Sequence, residues 1–183
     1  MIRILNAILR RLSARLRWAY YACTVFLGTG ILPFDTGFRG RFRVSHLPLH
    51  LKLGRGCLFG VDVFFGTTAG AEIVLGDAVS VNNGSHVVAY ERISIGCNTA
   101  IAEYVSIRDQ AHVMKRGVGP RHNGFKTAPI EIGENCWIGR GAYIGAGTRI
   151  GNNCVVGANS VVHGTFPDNV LIAGVPARIM GIG

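Results

Sequence analysis

The chain has 183 residues, 49% hydrophobic and 16% charged: enough apolar material for one sizeable core, and the wrong balance for a disordered chain. Its formal charge of +9 is uneven, because residues 1–43 hold eight of the 19 basic residues and only one of the ten acidic ones. The remainder is nearly balanced, which argues against general nucleic-acid binding and points to an anionic surface near the N-terminus.

Residues 2–27 are predicted to form a helix. Leu5, Ile8, Leu9, Leu12, Leu16 and Ala19 recur at helical spacing, while Arg3, Asn6, Arg10, Ser13 and Arg17 follow another face, widened by Arg11 and Arg15. Gly28, Gly30 and Pro33 break the pattern. The uncharged run from Trp18 to Phe34 is at the short limit for crossing a bilayer, and no small-residue cleavage site marks a secretory signal. Two compatible roles remain. The helix packs on the body and caps its exposed end, or it rests on anionic lipid with Trp18, Tyr20 and Tyr21 at the boundary.

From residue 53 onward the chain has a six-residue period. Leu53, Phe59 and Phe65 begin it, Leu75, Val81 and Val87 continue it, then Ile95, Ile101 and Ile107. The longest run is Ile132, Ile138, Ile144, Ile150, Val156 and Val162, where Gly follows five of the six. Small residues mostly stand four positions after each aliphatic: Cys136, Ala142, Thr148, Cys154 and Ser160, with Phe166 the exception. Neither a helix nor a simple strand has a six-residue period. A short strand plus a tight corner does, with one inward aliphatic per side and the glycine expected at the corner. Three sides close a triangular coil, and about five stacked coils make a quasi-one-dimensional solenoid. The domain division follows as 1–44 for the N-terminal segment and 45–183 for the solenoid, with an inserted loop at 113–131.

The five cysteines show no CxxC or Cys/His metal spacing, so free thiols in a reducing compartment are expected. Cys57, Cys136 and Cys154 fall on inward positions and are expected to be buried. Trp137, Tyr143, Val155 and Val161 precede inward aliphatics and so face out, which implies a covered face and a homo-oligomer.

The repeats, sharpest in Ile132-Gly-Glu-Asn-Cys-Trp-Ile-Gly139 and Ala173-Gly-Val-Pro-Ala-Arg178, resemble the hexapeptide-repeat acyltransferases that include the maltose, galactoside and serine acetyltransferases. That resemblance implies an all-β solenoid wound as a left-handed parallel β-helix, a homotrimer, and acetyl-CoA as co-substrate. It places CoA in the groove between neighbouring solenoids, at the corners of Arg140, Ala158 and His163-Gly164, with Arg178 near the phosphate end.

The frame stops after Ile107. Val113–Glu131 is rich in turn residues (Gly117, Gly119, Pro120, Gly124) and carries Lys115, Arg116, Arg121 and Lys126, as expected of a flap over a phosphorylated ligand. His112 stands at its base, at an outward position where an imidazole can take a hydroxyl proton at neutral pH. Its segment is similar to the one holding the catalytic histidine of galactoside acetyltransferases. By that likeness His112 is the general base, oriented by Asp109 or a main-chain carbonyl, and Asn82 binds the acceptor. The relatives' acidic acceptor-binding residues have no clear match here, and Gly181 stands where they carry a second basic residue.

The expected function is O-acetylation of a sugar hydroxyl in surface polysaccharide synthesis, in the cytoplasm and peripheral to the membrane. N-acetylation of an amino nucleotide sugar, or a non-catalytic scaffold, are the alternatives. Hexapeptide solenoids can also build a three-histidine zinc site, as in γ-type carbonic anhydrases. His86 is the one plausible partner for His112 but ends a different side of its coil by hexad counting, so no metal is expected.

Overall fold

A computed structural model describes residues 2–25, 32–45, 47–117, 119 and 122–182, without the side chains of residues 2–11, 24 and 182. Gly28, Gly30, His46, Pro120 and Arg121 lie outside the described residues, as do the side chains of Arg3, Leu5, Ile8 and their neighbours to Arg11. The body is a left-handed parallel β-solenoid of about six turns with three flat faces. The first face stacks Gly37–Phe38, Leu58–Phe59, Ser80–Val81, Ala100–Ile101, Trp137–Ile138, Val155–Val156 and Val170–Gly174. The second stacks Phe42–Val44, Val63–Thr67, His86–Ala89, Ser106–Arg108, Tyr143–Ile144 and Val161–Val162. The third stacks Leu51–Leu53, Glu72–Leu75, Arg92–Ile95, Ile130–Ile132, Arg149–Ile150 and Thr165–Phe166.

Register puts each inward side chain on the one below it: Phe59 on Val81, then Ile101, Ile138, Val156 and Ile172 along the first face. Most of these are fully buried, as are Cys57, Cys136 and Cys154. Burial of such a side chain contributes about 1.5–3 kcal/mol, so the stack itself carries the fold. One more turn exists than the repeats suggest. Its inward residues are Phe38, Phe42 and Leu51, whose aromatics disguise the hexad, and two of its strands precede residue 45. Phe166 is not a small partner. It is the inward residue of the last third-face strand, paired with Ile150, because the final corner is two residues shorter.

The hexad glycines do not supply the left-handed corner conformation. That falls two positions later, at Gly56, Ala78, Asn98, Asn135, Asn153 and Asn169 on one edge, all with φ between 55° and 67°. Asparagine tolerates that region best after glycine. The hexad glycine answers a different need. A Cβ on Gly133 would lie 2.6 Å from the backbone of Gly151, and one on Gly96 2.6 Å from that of Glu134, so the coils would be forced apart.

Each end is closed. The helix Ile2–Thr24 covers the first turn with Ala14, Arg17, Trp18 and Tyr21, and Val25 just after it is buried too. The Tyr21 hydroxyl accepts the Phe42 N–H at 2.8 Å, Arg17 Nε donates to the Phe38 carbonyl and Trp18 Nε1 to that of Pro33. Tyr21, Phe38, Phe42, Phe59 and Phe65 form a continuous aromatic plug with ring spacings of 4.7 to 5.6 Å. The capping role is therefore real, yet it uses the face opposite to the apolar stripe of the sequence: Leu12, Leu16, Ala19 and Tyr20 are exposed. At the far end the strand Ala177–Ile182 turns back antiparallel along Val170–Gly174, covering an edge that would otherwise offer free backbone groups.

Candidate functional site

The excursion from the solenoid is a β-hairpin. Gln110–His112 pairs antiparallel with Phe125–Thr127, His112 facing Phe125, and the chain rejoins the third face at Ile130, earlier than the repeat spacing indicates. Its foot is clamped between two turns: the Ala128 N–H donates to the Asp109 carbonyl at 3.0 Å, and the Ala128 carbonyl accepts the Gly147 N–H at 3.0 Å. Below, the Asp109 carboxylate reaches the previous corner. One oxygen accepts the Tyr90 N–H at 2.7 Å, and the other accepts those of Glu91 and Arg92, both at 2.8 Å. Asp109 is fully buried; that burial pushes its carboxyl up, and the three N–H donors pull it the other way. Committed to those amides, Asp109 does not orient the His112 ring, a correction to the expectation that it could.

His112 is exposed. Its ring lies 4.3 Å from that of Phe125, which in turn lies 4.9 Å from that of Tyr90. This aromatic chain leads from the hairpin onto the lower half of the second face, where a groove of about 400 Å³ opens over Gly66. Arg43 and Arg108 bound it, with Phe64, His86 and Tyr90 between. The His86 ring lies 5.2 Å from that of Phe64, tilted by 37°, and Arg108 is steadied by its Nε donating to Ser106 Oγ at 3.2 Å. Among the described residues no carboxylate forms an ion pair with Arg43 or Arg108. Burial, then Arg108, then Arg43, hold the His86 imidazole below the ordinary histidine range. Outward positions on neighbouring coils would have revealed this column, since Arg43, Phe64 and His86 are register partners.

The other expected site residues sit elsewhere. Asn82 is on the edge joining the first and second faces, and its amide donates to the Ile101 carbonyl at 3.1 Å. Arg140 and Ala158 are exposed on the same edge, higher up, with Arg140 over the Tyr104 ring at 5.4 Å. His163 and Gly164 lie on the next edge, above the hairpin, and the His163 ring packs against Gly145 and Tyr143. Arg178 is exposed on the last strand and donates to the Ala177 carbonyl. A single chain thus brings His112 to the same edge as His163 and Gly164, and leaves Asn82, Arg140 and Ala158 across the width of the second face. Among the described residues no three His, Cys, Asp or Glu side chains gather to hold a metal ion.

Similarity places this hexad solenoid in a class of transferase. Residues 129–164 match the bacterial transferase hexapeptide (six repeats) family. The chain is 34% identical over 152 residues, 75% of its length and 78% of the relative's, to the Escherichia coli K12 protein WbbJ, named as a lipopolysaccharide biosynthesis O-acetyl transferase. The chain belongs to the hexapeptide-repeat transferase family. Similar folds include the N-acyltransferase AntD of Bacillus cereus in complex with dTDP and 3-hydroxybutyryl-CoA (TM-score 0.70, 15% identity, 82% of this chain and 81% of that one). A maltose O-acetyltransferase from Clostridium difficile 630 is another (TM-score 0.52, 22% identity, 93% and 87%).

Proposed function

We propose that the protein is an acetyl-CoA-dependent O-acetyltransferase acting on a sugar hydroxyl in surface polysaccharide synthesis, with His112 as general base. The observation that carries this reading is an exposed imidazole on a hairpin clamped between solenoid turns, beside an open groove, in a chain 34% identical to a protein named as an O-acetyl transferase. Acetyl-CoA as co-substrate is supported by family membership and by solved neighbours of the same fold that hold CoA derivatives.

In this mechanism the imidazole takes the acceptor hydroxyl proton as the oxygen attacks the thioester carbonyl. A backbone N–H at a solenoid corner holds the oxyanion. Collapse breaks the C–S bond, and the imidazolium returns its proton to the CoA thiolate, so no acyl-enzyme forms. Arg140, Ala158, His163, Gly164 and Arg178 are assigned to CoA, and Asn82 to the acceptor. Because Arg140, Ala158 and Asn82 lie on a different edge from His112, the reading requires a neighbouring subunit, and a homotrimer supplies one for each site.

Apolar outward residues support that assembly: Trp137, Val155 and Leu171 form a column on the first face, Tyr143 and Val161 on the second. The third face carries the ion pairs Lys52–Glu72, Arg92–Glu72 and Arg149–Glu131 and suits water. The exposed stripe Leu12, Leu16 and Tyr20, with Arg15 beside it, supports peripheral contact with an anionic membrane, which would place the enzyme on the cytoplasmic leaflet. No described helix is long and apolar enough to cross a bilayer.

The test is CoA thiol release from acetyl-CoA with a panel of neutral sugars, nucleotide sugars and amino sugars. Turnover with a hydroxyl acceptor is expected, falling at least about a hundredfold in His112→Ala with CoA affinity kept. Near-normal turnover in that variant, or transfer to amino groups alone, overturns the reading.

A further inference from the structure

We propose that the groove between Arg43 and Arg108 is an acceptor subsite for an anionic group, so that the sugar acylated here bears a phosphoryl or carboxylate substituent. The proposal rests on the assignment of His112 as the base, and it specifies what that base acts on.

The groove's position comes first. Its wall residue Tyr90 touches Phe125, and Phe125 touches His112, so a sugar lying along the second face meets the imidazole at the hairpin end. The arrangement is built rather than incidental. Asp109 holds the corner that carries Tyr90 through its carboxylate and the foot of the hairpin that carries His112 through its main-chain carbonyl, so one residue ties groove and base together.

Charge comes second. Two guanidinium groups border one concavity without a carboxylate in ion-pair reach among the described residues, whereas the arginines of the third face are paired. Uncompensated cations in a partly enclosed groove repel each other, and a bound anion relieves that repulsion. Guanidinium suits the task because its fork of N–H donors matches both carboxylate and phosphate oxygens. Burial first, then Arg108 and Arg43, disfavour a proton on His86, and the neutral imidazole can hydrogen-bond a hydroxyl.

Shape comes third. Gly66 forms a floor without a side chain, and Phe64 and Tyr90 offer flat apolar surfaces for a sugar ring. A neutral disaccharide would use the aromatic walls but leave both arginines solvated only. The groove is therefore specific to sugars that carry charge.

The experiment is calorimetric titration of the full-length protein, saturated with CoA so that phosphate cannot enter the CoA groove, with glucose 1-phosphate, glucuronate and glucose. One or both anionic sugars are expected to bind at least about tenfold more tightly than glucose, the scale of one charge-assisted bond. Whichever binds tells phosphoryl from carboxylate. Arg43→Gln and Arg108→Gln should each weaken it at least about fivefold, with CoA affinity and light-scattering mass unchanged. Equal binding of glucose and the anionic sugars, no binding of any of the three, or unaltered affinity in the double variant overturns the proposal. Repeating the titration with His112→Ala separates the two readings. Discrimination that persists there while turnover survives condemns the base and keeps the groove; lost discrimination with His112-dependent turnover intact condemns the groove alone.

Discussion

Asp109, three residues before His112, accepts through Oδ2 the backbone N–H of Arg92, one turn back along the solenoid, at 2.8 Å. A buried carboxylate spent on amides is a foundation: it joins the corner of one turn to the hairpin of the next. Asp109→Ala would leave three N–H groups without their acceptor, and destabilisation of roughly 3 kcal/mol is expected. The Asn variant keeps one oxygen and should lose less. Urea unfolding measures both. If the residue positions the hairpin, Asp109→Asn also lowers turnover with acetyl-CoA affinity unchanged, and equal loss of both would indicate general damage instead.

Phe125 contacts His112 on one side and Tyr90 on the other. Phe125→Ala frees the imidazole from its only ring neighbour among the described residues. Turnover should fall by about tenfold while the exposed hairpin position leaves stability within roughly 0.5 kcal/mol. Phe125→Tyr keeps the ring and should restore most of the rate. No rescue by tyrosine would mean that the ring contact does not matter.

His86 is held below the ordinary histidine value of 6.5 by burial, then by Arg108 and Arg43. As pH drops below that value the unfolded chain takes a proton that the folded one refuses, so stability falls with pH until the folded group titrates too. Well above 6.5 the group contributes no slope. Arg108→Gln should flatten the loss between pH 7 and pH 5, a range set around the ordinary histidine value. An anionic sugar in the groove should move the His86 titration upward. Urea unfolding at a series of pH values reads the first and proton NMR of the imidazole the second, and a downward move on adding the sugar would contradict the anion subsite.

Val155 sits between Trp137 and Leu171 on the first face. A carboxylate there should break a trimer that buries this column, since an unpaired charge in an interface costs several kcal/mol. Light scattering of Val155→Glu should give a monomer without activity, because Asn82 and Arg140 of a neighbour would no longer face His112. A fully active monomer would show the site to be complete in one chain.

The helix offers a cleaner test than truncation. Removing it would strip Tyr21 from the aromatic plug and expose the first turn, whereas Leu12 and Leu16 point away from the body. Leu12→Glu with Leu16→Glu should leave thermal stability unchanged and abolish flotation with anionic vesicles at low salt. Full-length protein that fails to float under those conditions refutes the membrane reading and leaves only the cap.

Much was decided locally. A six-residue period fixes strand, corner and inward position together, so the solenoid, the burial of Cys57, Cys136 and Cys154, and an excursion between Ile107 and Ile132 could be read from spacing alone, though not its return to the third face at Ile130. Spacing does not show which constraint a residue answers. The hexad glycines are small because Gly151 passes close above Gly133, and the left-handed turn falls to Asn135 and Asn153, a division visible only when coils are stacked. Periodicity likewise found the apolar stripe of the helix but not which face docks. That depended on where the Phe42 N–H and the Phe38 carbonyl stand to receive Tyr21 and Arg17. The column of Arg43, Phe64 and His86 was legible only by matching outward positions from coil to coil, and the tie from Asp109 to Tyr90 joins residues 19 positions apart, a separation that local pattern cannot encode and that one turn of the solenoid brings into contact.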